Sequence, residues 1–104
     1  MIQASGPEII DLGQVKQGSI PTGTFSITNK FPKDISIIDI KAGCGCTIPE
    51  GKLGILKHGE STVIKFSFNT SGRINAQMKS INISYMLEGV RYIFTKQFKA
   101  YIII

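Results

Sequence analysis

Short apolar runs, cut by turn residues at regular intervals, constrain this chain more than any other feature. Turn signals fall at Gly13, Gln17-Gly18, Asn29-Lys30-Phe31-Pro32, Gly43-Cys44-Gly45, Pro49-Glu50-Gly51, His58-Gly59, Asn69-Thr70-Ser71-Gly72 and Glu88-Gly89. Between them the residues alternate with the period of two that sends successive side chains to opposite faces of a strand. Thr24, Ser26 and Thr28 oppose Phe25 and Ile27, and Thr62, Ile64, Phe66 and Phe68 oppose Val63, Lys65 and Ser67. Lys79, Ile81, Ile83 and Tyr85 oppose Ser80, Asn82 and Ser84. In Ile35 to Ile40 the apolar phase slips, from Ile35 and Ile37 to Ile38 and Ile40. Such a slip predicts a bulge or a strand covered on both sides. A first strand is expected over Glu8 to Leu12, and Val90 to Ile104 reads as two strands or one long bent one.

Composition agrees. Nineteen of the 104 residues are isoleucine, against four alanines and four leucines, so residues that favour pleated sheet outnumber helix formers. With 18% charged residues and 42% hydrophobic ones the chain is no candidate for disorder. Its length suits one domain, residues 1–104. The expected fold is therefore all-β, an immunoglobulin-like antiparallel sandwich of about seven strands. There is no tryptophan, and Cys44 and Cys46 are two positions apart, so the inter-sheet bridge of antibody domains is not expected.

The formal net charge of +5 gathers in the second half, where six lysines, Arg73 and Arg91 face only Glu60 and Glu88. These positives stand singly along strands without an arginine cluster or interleaved aromatics, which argues against nucleic acid. No apolar run approaches the roughly 20 residues of a membrane helix. The opening Met1-Ile2-Gln3-Ala4-Ser5-Gly6-Pro7 has no basic start and no apolar stretch, so no signal peptide is visible. The expectation is a protein made in a cytoplasm, with its cysteines as thiols.

One segment, Ala42-Gly43-Cys44-Gly45-Cys46-Thr47-Ile48-Pro49-Glu50, is not explained by composition. With Ile10-Asp11-Leu12-Gly13-Gln14-Val15-Lys16-Gln17-Gly18, Phe25-Ser26-Ile27-Thr28-Asn29, Gly59-Glu60 and Asn69-Thr70-Ser71-Gly72-Arg73, it forms an ordered pattern over about residues 8 to 90. The chain thereby resembles a bacterial uncharacterised-domain family with an immunoglobulin-like sandwich related to the Hydin and ASPM type. Members of that family usually carry a secretion signal. The resemblance implies a cell-envelope or periplasmic adhesion-type module.

Cys44 and Cys46 admit three readings. A structural zinc site needs about four ligands, and His58, the sole histidine, would still leave the set one short. A redox pair is conceivable, because two cysteines across one glycine can close a small, easily reduced ring. The reading the residues favour is structural. In it the cysteines are small buried hydrophobes, one per face of a tight crossover, with Gly43 and Gly45 supplying backbone angles closed to other residues. Cys44, Gly45, Cys46 and Thr47 are the motif residues under any of the three.

Catalysis is not expected. His58, in a solvent-facing turn, is the only candidate base, and no carboxylate pair or phosphate-binding loop stands out. The sequence implies no cofactor, no metal and no small-molecule substrate. The C-terminal Phe98-Lys99-Ala100-Tyr101-Ile102-Ile103-Ile104 is strongly β-prone and has no charge after Lys99. It is either the last core strand or, through Tyr101, Ile102, Ile103 and Ile104, a docking element for a protein partner by strand addition or apolar contact. The expected function is a non-enzymatic structural or interaction protein. Its most concrete form is an auxiliary decoration protein of a bacteriophage capsid, located in the virion. The envelope module and the thiol redox or metal-binding protein remain alternatives.

Overall fold

Each alternating segment of the sequence is a strand, and the strands lie in two sheets that face one another. The computed structural model describes Met1–Ile104 throughout and contains nine strands in chain order. They are β1 (Ile2–Ala4), β2 (Ile9–Lys16), β3 (Thr22–Asn29), β4 (Ile35–Ala42), β5 (Thr47–Glu50), β6 (Gly54–Leu56), β7 (Ser61–Phe68), β8 (Asn75–Leu87) and β9 (Val90–Ile103). The smaller sheet runs β1-β3-β7-β5 and the larger β2-β9-β8-β4-β6.

The alternation predicts which residues enter the space between the sheets. From the smaller sheet come Phe25, Ile27, Ile64, Phe66 and Phe68; from the larger come Ile35, Ile37, Ile81, Ile83, Tyr85, Phe98, Ala100 and Ile102. Phe66 stacks on Phe98 with centroids 4.5 Å apart, and Phe68 meets the same ring edge-on at 5.5 Å. Gly23 makes room for Phe66. A Cβ at that position would collide with the ring, standing 2.8 Å from its Cε1 and closer still to Cζ. Gly23→Ala is therefore expected to cost about 1–3 kcal/mol, read as a shift of the urea midpoint, because the ring must leave its rotamer.

The phase slip in β4 is a bulge. Ile37 pairs with Tyr85 and Asp39 with Ser84, so Ile38 has no partner and turns outward, 39% exposed. A second bulge lies in β2, where the register shifts between Asp11 and Gln14. Gly13 stands there at a φ of 75°, and its N–H donates to Asp11 Oδ1 at 2.8 Å. The Glu88-Gly89 turn has positive φ at both residues, the two-residue hairpin geometry that matches strand twist.

Two expectations need correction. The strands number nine rather than about seven, because β1, β5 and β6 have only three or four residues, too few to display a period. The sandwich is not wholly antiparallel: β2 runs parallel to β9. Of the two readings of the C-terminal run, the single strand holds, for Val90–Ile103 is one unbroken strand of 14 residues. At about 3.3 Å per residue it extends roughly 46 Å, and the molecule's long axis is 47 Å.

Candidate functional site

The Cys-Gly-Cys segment is the crossover from β4 in the larger sheet to β5 in the smaller one. Backbone bonds hold it at both ends. Gly43 N–H donates to Ser80 O at 3.0 Å, Asn69 N–H to Cys46 O at 2.8 Å and Thr47 N–H to Cys44 O at 3.3 Å. Cys44 and Cys46 are joined as a disulfide, which corrects the expectation of two thiols. Nor are they buried one per face, since both are half-buried at the rim. The expectation for the glycines fails too, because neither Gly43 nor Gly45 has a positive φ. Gly43 is instead a close approach, where a Cβ would stand 3.1 Å from Ser80 Oγ, while Gly45 is open to solvent. Thr47 is buried, and its Oγ1 lies 3.7 Å from Cys46 Sγ and 4.0 Å from Cys44 Sγ. On the loop-entropy scale a ring of three residues stabilises by only about 1.5 kcal/mol. This bridge is a weak staple.

The C-terminal segment is placed where strand addition cannot reach it. Residues 97–102 of β9 lie between β2 and β8 with both edges paired, whereas residues 90–96 pair with β8 alone. Ile102 is fully buried in the core, so it is corrected from partner candidate to core residue. Ile103 is half-buried opposite Lys16, leaving Tyr101 at 47% exposure and Ile104 at 89% as surface residues. Tyr101 borders a shallow depression of about 370 Å³ with Asp11, Ala76, Met78 and Lys99.

The outer face of the larger sheet carries a second apolar patch that sequence reasoning missed. Ile93 on β9 pairs with Ser84 on β8, which pairs with Asp39 beside the bulged Ile38. Ile55 on the edge strand β6 stands opposite Ser36 on β4. Ile55 is 69% exposed and Ile93 is 61% exposed, whereas Ser84 between Ile93 and β4 is only 5% exposed. Arg91 donates from Nη2 to Ser84 Oγ at 3.2 Å, which sets its guanidinium between Ile93 and β4. A polar band of Lys41, Asn82, Thr95, Ser80 and Gln97 separates it from the Tyr101 end. The signal was present: Ile93 occupies an outward slot of the period between Arg91 and Thr95, and Ile38 sits at the phase slip.

At the hairpin end Tyr85 stacks on Tyr92 at 5.6 Å and contacts Phe31 at 6.0 Å. Burial, and then the neighbouring Tyr92, raise the Tyr85 hydroxyl above its ordinary pKa. His58 is exposed, and its Nδ1 donates to Phe31 O at 2.6 Å, so the imidazole serves a loop contact. No group of three or more His, Cys, Asp or Glu side chains comes together. The positive charges disperse. Lys65 pairs across strands with Glu50 on one outer face, Lys99 lies on the other, and Lys96 is buried. The Lys96 ammonium donates to Pro7 O at 2.6 Å and Ser5 O at 3.4 Å, pinning the segment that follows β1.

No protein of curated function matches the sequence significantly. Among solved structures, the VesB protease of Vibrio cholerae superposes with a TM-score of 0.78 at 12% identity over 96% of this chain and 31% of its own. PapD-like domain 7 of human CEP192 gives 0.76 at 7% identity, covering 98% of this chain and 84% of that one. A protein of unknown function from Porphyromonas gingivalis W83 gives 0.76 at 15% identity over 96% and 46%. At these identities the likeness is one of fold: a PapD-like, immunoglobulin-like sandwich. The chain spans about a third of the VesB protease and under half of the Porphyromonas protein. Residues 5–97 match the model of a family described as Protein of unknown function (DUF1573), and the chain belongs to that family.

Proposed function

We propose that this domain is a protein-interaction module that docks through the outer face of its larger sheet, around Ile38, Ile55 and Ile93. The observation that carries the reading is the exposure of these three isoleucines on one strand surface beside Arg91. Apolar side chains gathered on a sheet face and rimmed by charge have the composition of an interface centre. Tyr101, at the far end of the same face, forms a second contact point, with Ile104 exposed just beyond the end of β9. The sandwich serves as a rigid frame, and in the VesB protease a domain of this shape is one part of a longer chain.

The cysteines support a reading of the compartment. A disulfide persists where the surroundings are oxidising, so the bridge favours a cell-envelope or secreted setting. A bacteriophage capsid is the second reading for the same surface, and only the basic second half of the chain supports it.

The test is capture with the immobilised domain from envelope extract and from purified virions. Ile93→Glu is expected to leave stability within about 0.5 kcal/mol while weakening partner binding tenfold or more, about 1.4 kcal/mol. If Ile93→Glu and Ile38→Glu both retain the wild-type partner at equal affinity, this face is not the docking surface. Partners taken only from virions would move the protein to the capsid.

A further inference from the structure

The Cys44–Cys46 bridge does little for the fold. A cross-link stabilises by restricting the unfolded chain, and the restriction grows with the loop it closes. Here the loop is Cys44-Gly45-Cys46, and the crossover is already held by the Gly43–Ser80, Thr47–Cys44 and Asn69–Cys46 backbone bonds. Its chemistry, by contrast, is accessible. Cys44 is half-buried and lines an open depression of about 240 Å³ with Gly43, Met78, Lys79, Ser80 and Gln97. Cys46 instead packs against the core and has the Thr47 hydroxyl 3.7 Å from its sulfur.

We infer that this bridge is an exchangeable disulfide, an oxidant for the dithiol of a second protein. The two sulfurs have different parts. An incoming thiolate attacks Cys44 Sγ through the depression; the S–S bond breaks, and Cys46 leaves as a thiolate. The Thr47 hydroxyl donates to that thiolate, which lowers its pKa and eases its departure. The partner's second thiolate then attacks the mixed disulfide and releases Cys44. The partner gains one disulfide, the loop takes up two electrons and two protons, and no other reactant is consumed. A disulfide that is exposed and closes a small ring belongs to the labile class. This inference does not rest on the docking face, whose isoleucines Ile38, Ile55 and Ile93 are not among the residues that line the Cys44 depression.

The probe is a synthetic peptide with two cysteines, in reduced form, mixed with glutathione disulfide and a substoichiometric amount of the full chain. The expected result is that peptide oxidation runs several-fold faster than with glutathione disulfide alone. A Cys44→Ser, Cys46→Ser double variant is expected to give no acceleration. Thr47→Val is expected to slow the catalysed rate and move its pH profile upward, which a purely structural role would not do. With Cys46→Ser, glutathione is expected on Cys44 in the intact mass, and more slowly on Cys46 with Cys44→Ser. Equal acceleration by the double variant, or none by the wild type, overturns the proposal. So does a wild-type bridge that glutathione and dithiothreitol reduce only after denaturant is added.

Discussion

Asn29→Leu is expected to destabilise the domain by about 4 kcal/mol, the largest effect of any polar substitution here. Asn29 is wholly buried at the end of β3. Its Nδ2 donates to Lys33 O at 2.9 Å and Leu56 O at 2.8 Å, and its Oδ1 accepts from Phe31 N–H at 2.9 Å. One side chain thus satisfies three backbone groups of the β3–β4 loop and of β6. Leucine matches its branching and leaves all three unpaired out of reach of water, each worth about 1–3 kcal/mol. Asn29→Asp is no milder: it keeps the acceptor and sets a carboxylate against two carbonyl oxygens. Urea unfolding checks this, with a lower midpoint at unchanged slope. A loss under about 1 kcal/mol would show that water enters and replaces the amide.

The second large effect belongs to Phe66. Truncation to alanine is expected to cost about 3–5 kcal/mol, since it removes a fully buried ring and leaves a cavity that two sheets cannot easily close. The ring is stacked on Phe98 and lies 6.4 Å from Phe25, so its loss also unsupports its neighbours. For a domain of this size the melting temperature should fall by at least about 15 °C. Calorimetry gives the number. Phe66→Leu, which refills most of the space, should recover more than half of it; failure to do so would point to ring stacking rather than volume.

The inner faces were legible because a strand's side-chain period is local. Ile64, Phe66 and Phe68, or Ile81, Ile83 and Tyr85, declare a common face without reference to any other part of the chain. The Ile38 bulge was legible for the same reason, as a break in that period. The polar pins were visible as motif letters only. Thr70, from Asn69-Thr70-Ser71-Gly72-Arg73, is buried and donates to Ser19 O at 2.6 Å, a contact between loops that no spacing reveals. The cysteines show the limit most plainly. Their spacing allowed a ring, but whether the backbone brings the sulfurs together depends on how the crossover is held by Ser80 and Asn69, residues far along the chain.

The amino-acid sequence by itself determined an all-β sandwich and most of its inner faces, because alternation and turn chemistry act over a few residues. Tertiary structure decided which strands are neighbours. It made β9 a central strand, buried Ile102 and withdrew the C-terminus as a pairing edge. It also set Ile38, Ile55 and Ile93 on one outer face and closed Cys44 onto Cys46 at the rim. Those outcomes turn on pairings across tens of residues, where the hydrogen bonds of one strand satisfy another. An isoleucine at an outward position carries no mark of whether a partner strand, solvent or another protein will cover it.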